Sequence, residues 1–263
     1  MQPAVDVACT LELALAGPAL LALQVEAVGG QGELEVVQGG RPLALERHTT
    51  DASGTTQLAQ AVGGEVVVRY RARVPERQEA AGPVSALERL VALRPSRYAP
   101  SDRTGGIAVD LLGLLPDDPW ERACAVAAVV QRRTAYVLGS STGTDGALET
   151  LLSGQGVCRD FAHLVVTLCR SVDVPARHVS VYAPGLSPMD FHAVAEVAVD
   201  DGWRVLDATG LAPRPSLARI ATGRDAADTA FLTSIGADVA LTAYEVLATT
   251  VGDLPADDVV RLA

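Results

Sequence analysis

Three features predict an α+β fold. Short alternating apolar segments bounded by Gly and Pro fill residues 1–80. After about residue 115 the apolar period becomes helical, and behind the last long helix come three strand-like segments joined by short loops. In the first part, VDVACTLEL, ALLALQVEAV, GELEVVQGG and GGEVVVRYRARV are the strand candidates. Val66, Val68 and Tyr70 share one face of the last of these, with Arg69 and Arg71 on the other. Such a string predicts a small antiparallel β-sandwich. His48, among ERHTT, reads as a solvated loop residue. The polar, Pro-containing LRPSRYAPSDRTGG reads as a linker, which divides the chain into a β-rich domain over 1–95 and a second domain over 96–263.

In the second part, PDDPWERACAVAAVVQRRTAYV predicts a helix capped by Asp117 or Asp118 with Pro119 in its first turn. Cys124 falls among its apolar positions and reads as packing. A short helix in GALETLL ends in glycines. The next helix, VCRDFAHLVVTLCRSV, sets Phe161, Leu164, Val165 and Leu168 at three- and four-residue spacing. Cys169 lies deep in that helix and also reads as core. ARHVSVYA, FHAVAEVAV and GWRVLDAT follow as strands, and their short loops imply antiparallel neighbours with helices packed on one face.

Composition narrows the function. Of 263 residues 49% are apolar, enough for a substantial core, and the formal charge is −11. That charge argues against a nucleic-acid partner, which needs clustered cations on phosphate. All the cationic side chains are arginine, so neither a Schiff-base lysine nor a phosphate-loop lysine is available. The opening residues lack a positive leader, carry Asp6 and Glu12, and break at Gly17-Pro18; no apolar run is long enough to span a bilayer. The four cysteines are scattered rather than arranged as a disulfide framework. A cytoplasmic setting without a membrane partner is the expectation, and it leaves a free thiolate chemically possible.

Cys158 is where such a thiolate has support. Gly154 and Gly156 precede it, a helix begins at it, and first-turn N–H groups and the helix dipole favour a negative sulfur there. Its own amide is placed to stabilise an oxyanion. His163, five residues on, lies about 500° around the helix and so on another face. His192 opens a strand, an edge position from which it can reach a cleft. Asp207 ends the next strand, where a carboxylate at the end of an apolar run calls for a partner. Antiparallel pairing would put Asp207 beside His192, giving the order Cys158, His192, Asp207. Singly, each has a plainer explanation: a buried thiol, an edge histidine, a turn-forming aspartate. The pattern alone leaves both explanations open. A metal site from Cys158, Asp160 and His163 lacks the usual spacing and a second ligand pair.

SGQGVCRDFAHLVVTLCRSVDVPARHVSVYAPG, followed by DFHAVAEVAVDDGWRVLDAT, resembles the core of the bacterial transglutaminase-like superfamily, a branch of the papain-like thiol enzymes. The resemblance covers roughly 115–235, and the preceding strand-rich part resembles the β domain that often precedes this core. It implies Cys158 as nucleophile, His192 as general base and acid, and Asp207 as the residue orienting the imidazole. It also implies acyl transfer through a thioester on a peptide, protein or amide substrate, with no cofactor and no metal. Hydrolysis as a peptidase or amidase is favoured; the alternatives are a transglutaminase with an amine acceptor and a non-catalytic binding module that keeps the cleft. Tyr182 matches a tyrosine near the site and is the candidate substrate contact, while Asp160 and Glu196 match structural positions. Val194 stands where many relatives have tryptophan, which implies a more open cleft or a different specificity. The segment YAPGLSPMDF is expected to line one cleft wall.

Overall fold

Alternation along the first strands decides how they pack. The computed structural model describes residues 1–50, 54–78, 82–199 and 202–262. Its first seven strands are β1 (Val5–Leu15), β2 (Ala19–Leu23), β3 (Gln31–Gln38), β4 (Arg41–Pro42), β5 (Leu45–Thr50), β6 (Gly54–Ala61) and β7 (Gly64–Val74). In β1, Val5, Val7, Cys9, Leu11, Leu13 and Leu15 are buried, and they pair antiparallel with β7 so that Cys9 faces Tyr70 and Leu11 faces Val68. Val66, Val68 and Tyr70 point inward and Arg69 and Arg71 outward. His48 is solvated as expected, but it stands in β5 rather than in a loop, its Nε2 3.0 Å from Glu46.

The linker segment is more ordered than its composition suggests. Helix α1 (Ala86–Leu93) precedes it, started by a capping box in which Ser85 Oγ accepts from Glu88 N at 3.2 Å and Glu88 Oε2 accepts from Ser85 N at 2.9 Å. A 3-10 turn at Ser101–Arg103 and α2 (Gly105–Leu112) lie inside or directly after it. Helix α3 (Pro119–Arg133) begins with Asp118 accepting from Glu121 N at 2.8 Å. Then come β8 (Ala135–Tyr136), α4 (Ala147–Ser153), β9 (Gln155–Gly156) and α5 (Cys158–Ser171). Strands β10 (Ala176–Tyr182), β11 (Phe191–Val199), β12 (Gly202–Leu206) and β13 (Ala218–Gly223), a single-turn α6 (Ala226–Thr229), β14 (Leu232–Gly236) and β15 (Val239–Thr250) complete the order.

Two sheets carry almost all of these strands. One runs β15-β1-β7-β3-β4; the other runs β12-β11-β10-β13-β6-β2-β14, with β5 on β6. The chain therefore returns in β14 and β15 to pair with β2 and β1. Leu11, Leu13, Leu21, Leu23, Val68 and Val246 belong to the core between the sheets. At its other end the long sheet carries α3, α4 and α5 through Val126, Val130, Phe161, Leu164, Leu168 and Val197. Its opposite face is covered by a second cluster that includes Val179, Val194, Val205, Leu217 and Leu262. Strands β10 and β11 are thus covered on both faces, which is why FHAVAEVAV is nearly continuous in apolar residues while β1 alternates. Helix α5 is buried from Asp160 to Arg170, wedged between that sheet and the other helices. Among the described residues no helix is long and apolar enough to cross a membrane.

Candidate active site

The site is built on the first turn of α5. Gly154 ends α4 at φ +65°, a left-handed conformation that glycine adopts without a Cβ clash. Gly156 meets a different requirement: a Cβ there would sit 2.6 Å from Asp160 Cβ. Asp160 needs that closeness, because its Oδ2 reaches back to accept from Val157 N at 2.8 Å and so fixes the helix start. β8 runs parallel to β9, setting Tyr136 opposite Gly156. The Tyr136 hydroxyl consequently lies against Cys158, and burial together with the nearby sulfur pushes its phenol well above the usual tyrosine range.

His192 and Asp207 come together across β11 and the end of β12. Register pairs Ala195 with Leu206, so the two side chains meet just beyond the last paired residues. His192 Nε2 lies 3.0 Å from Asp207 Oδ2, and both side chains are almost fully buried. Thr209 donates to Asp207 Oδ1 from its N–H at 2.8 Å and its hydroxyl at 2.7 Å. Burial works against charge on both partners. The Asp207 carboxylate and the Cys158 sulfur outweigh it and raise His192 to about 10, and His192 with Thr209 holds Asp207 below the ordinary carboxylate range. His192 Nδ1 is buried without a hydrogen bond. The Cys158 sulfur is near enough to act on the imidazole and favours its charged form.

Cys158 and His192 share a cavity of about 660 Å³ whose walls also include Tyr98, His178, Asp190 and Phe231. Leu241 and Tyr244 of β15 close one side. A larger open concavity of about 800 Å³ over β1 and β7 shares none of these residues and is lined by no cysteine or histidine.

The other candidates go elsewhere. Tyr182 is fully buried, its hydroxyl donating to Val25 O at 2.8 Å, and it does not line the cleft. Instead of touching substrate it ties β10 to the β-sandwich. His163 and Asp160 turn inward and do not gather with Cys158 into a ligand set. His163 Nε2 accepts from Ala226 N at 3.1 Å, and burial holds that imidazole neutral. His178 lines the cleft; its Nδ1 is 2.9 Å from Thr229 Oγ1, and burial lowers it to about 4. Glu196 is buried between Arg177 at 2.6 Å and Arg219 at 2.7 Å. Val194 is buried in the cluster behind the sheet and is not in the cleft lining, so its small size does not widen the cleft. Of YAPGLSPMDF, Asp190 and Phe191 line the cavity, whereas Leu186 is packed behind the sheet. Tyr136, Phe231, Leu241 and Tyr244 have no local signal as site residues, because only the β8–β9, β14–β2 and β15–β1 pairings bring them in.

A cysteine-bearing helix packed on an antiparallel sheet that carries a buried His–Asp pair defines an α+β core of the transglutaminase type. Residues 112–208 match the sequence profile of the transglutaminase-like superfamily. The uncharacterized protein ML0607 of Mycobacterium leprae is 32% identical over 90 residues, 34% of this chain. The match spans only about a third of that relative, 32% of its length. A crystal structure from Cytophaga hutchinsonii, provisionally named a cysteine protease, superposes with a TM-score of 0.86 at 26% identity. It covers 98% of this chain and 94% of its own, β-sandwich included. The periplasmic domain of TgpA from Pseudomonas aeruginosa gives a TM-score of 0.41 at 19% identity over 79% of this chain and 88% of that one, too low to carry a conclusion.

Proposed function

We propose that the chain is a cysteine-dependent acyl-transfer enzyme acting on peptide or amide bonds, with Cys158 as nucleophile, His192 as general base and acid, and Asp207 orienting the imidazole. One observation carries the reading: His192 is fixed at 3.0 Å by Asp207 and keeps its other ring nitrogen free of hydrogen bonds in the cavity it shares with Cys158.

The chemistry follows from those positions. Cys158 Sγ attacks the carbonyl carbon and its proton passes to His192 Nδ1, while Asp207 holds the Nε2–H. The first turn of α5 and the adjacent Tyr136 hydroxyl face the developing oxyanion. As the tetrahedral centre collapses, the C–N bond breaks, His192 protonates the departing amine, and a thioester remains. Water activated by His192 then releases the acid and restores the thiol. An amine in place of water would give a new amide, the transglutaminase alternative. Hydrolysis is the favoured outcome, because Cys158 is partly exposed in the cavity and water is by far the most abundant acceptor that can reach it. A binding module with an idle cleft has less support, since the His192–Asp207 pair costs desolvation that binding alone does not require. The four unpaired cysteines support a reducing, cytoplasmic setting, and the acidic charge supports a partner other than nucleic acid.

Alkylation by iodoacetamide near neutral pH tests the assignment. Cys158 should label faster than Cys169, and His192→Ala should slow it. Equal labelling of the two cysteines, unchanged by His192→Ala, would sink the enzyme reading. Labelled peptides and amines incubated with wild type and Cys158→Ala then separate hydrolysis from transfer.

A further inference from the structure

The cleft holds one carboxylate that neither the catalytic scheme nor the fold accounts for. Asp190 is half-buried in the wall beside the nucleophile, its Oδ1 accepting from Phe191 N at 2.7 Å and its Oδ2 from the Tyr244 hydroxyl at 3.1 Å. Several other carboxylates of the chain have arginine partners: Glu196 with Arg177 and Arg219, Asp228 with Arg224, Asp257 with Arg214, Asp6 with Arg73. Asp190 has no such partner among the described residues; the positive charge acting on it is His192, already held by Asp207. A partly desolvated carboxylate without a counterion is costly unless a cation arrives to meet it.

The walls around it suit that cation. Phe191 stacks on Phe231 with ring centroids 4.9 Å apart, and Tyr244 presents a third ring, so aromatic surface surrounds the carboxylate. The register of β15 against β1 shifts at Glu12/Leu13, leaving Thr242 as the extra residue. That bulge brings Leu241 and Tyr244, three positions apart, to the same cleft, and it aims the Tyr244 hydroxyl at Asp190. The arginines of the cavity do not compete. Arg159 is held by Ser141 Oγ and Thr142 O at 2.6 Å each, and Arg97 lies over the Tyr98 ring.

We propose that Asp190, capped by Tyr244 in the wall of the Cys158 cleft, is a subsite for a cationic nitrogen of the substrate, a protonated amine or a guanidinium. The inference rests on the reading of Cys158 as nucleophile for its catalytic meaning, but the binding it predicts does not depend on turnover. The cation has two sources, a basic side chain on the acyl-donor peptide or the amine that leaves or accepts the acyl group.

Binding of benzylamine and of its neutral counterpart benzyl alcohol is compared by ligand-observed NMR on the whole chain. Wild type and Cys158→Ala should bind benzylamine at least tenfold more tightly than the alcohol. Asp190→Asn, which keeps the shape, still accepts from Phe191 N through its amide oxygen and can donate its amide N–H to the Tyr244 hydroxyl, should bring the two within about twofold, and Tyr244→Phe should lie between. Equal binding of both compounds by wild type, or the same preference in Asp190→Asn, overturns the subsite. Failure of the nucleophile assignment shows separately, as iodoacetamide labelling unaffected by His192→Ala. The two sources then part in kinetics. A donor-side cation predicts that Asp190→Asn raises KM for peptides with Arg or Lys at least fivefold and leaves neutral peptides unchanged. An amine-side cation predicts the same loss in transfer to cadaverine, with hydrolysis unchanged.

Discussion

The two ends of helix α5 each carry a cysteine within two residues of an arginine, and they have opposite characters. At the N-terminal end, Cys158 is partly exposed in a cleft, backed by Tyr136, His192 and Asp207. At the C-terminal end, Cys169 is fully buried and its thiol is pushed well above the ordinary range by burial. Arg159 faces the cleft, whereas Arg170 is buried, donating to Ala92 O at 3.0 Å, Ala176 O at 3.0 Å and Arg224 O at 2.6 Å. One end arranges polar groups around a partly exposed thiol in a cleft. The other uses a cation to satisfy carbonyls at a junction of α1, β10 and β13. Residue type is the same at both ends; what differs is whether the surrounding polar groups line an open cleft or are consumed by the fold.

The largest effect that separates the ends is on chemistry. Asp207→Asn should lower acyl-transfer turnover by about 10²–10⁴-fold, the range expected when a general base loses its orientation, while leaving the fold intact by circular dichroism. It should also change how stability depends on pH. His192 is raised from 6.5 to about 10, so its contribution is complete below about 6.5 and is lost as pH rises toward 10. The gap in Tm between wild type and Asp207→Asn should therefore be wide at pH 6 and narrow at pH 10. A gap independent of pH would mean that the pair does not hold its proton in the way described. Next in size comes the structural end: Arg170→Met strands three carbonyls and should cost about 3–5 kcal/mol in urea unfolding. The Cys158 labelling rate in the protein that remains folded should be unchanged.

Legibility in the sequence divides along the same line. Short-range features are readable: β1 and β7 from alternation, α3 from Asp118-Pro119, and α5 from its three- and four-residue spacing; α1 is not among the expected elements, although its capping box is written in SALE. Cys158, His192 and Asp207 could be singled out because one helix start and two adjacent strands carry them. Long-range pairing was not readable. Nothing in VALTAYEVLATT says that its partner is β1, so the return of the chain to the sandwich, and with it Tyr244 in the cleft, had no local signal. Tyr182 shows the same limit in reverse. Its strand was placed, but the Val25 carbonyl that claims its hydroxyl lies 157 residues away.

Gly156→Ala tests whether the N-terminal end is as tightly built as the buried one. The added Cβ would lie 2.6 Å from Asp160 Cβ, so either the Asp160–Val157 cap opens or the first turn shifts. Overpacking of this kind costs about 1–3 kcal/mol. Because the displaced turn carries the sulfur, the labelling rate of Cys158 should fall along with stability.

Cys169→Ala is the smallest expected change, and it is the control that sharpens the contrast. Cys169 is fully exposure-free among Phe161, Val165 and Leu168, and it acts there as a small apolar group. Removing one sulfur from a packed site should cost about 1 kcal/mol, read as a small drop in the urea midpoint with the slope unchanged. Neither the turnover nor the alkylation rate of Cys158 should move. A variant with lowered turnover but unchanged midpoint would show that the buried end of α5 is coupled to the first turn, and the division of labour along the helix would have to be abandoned.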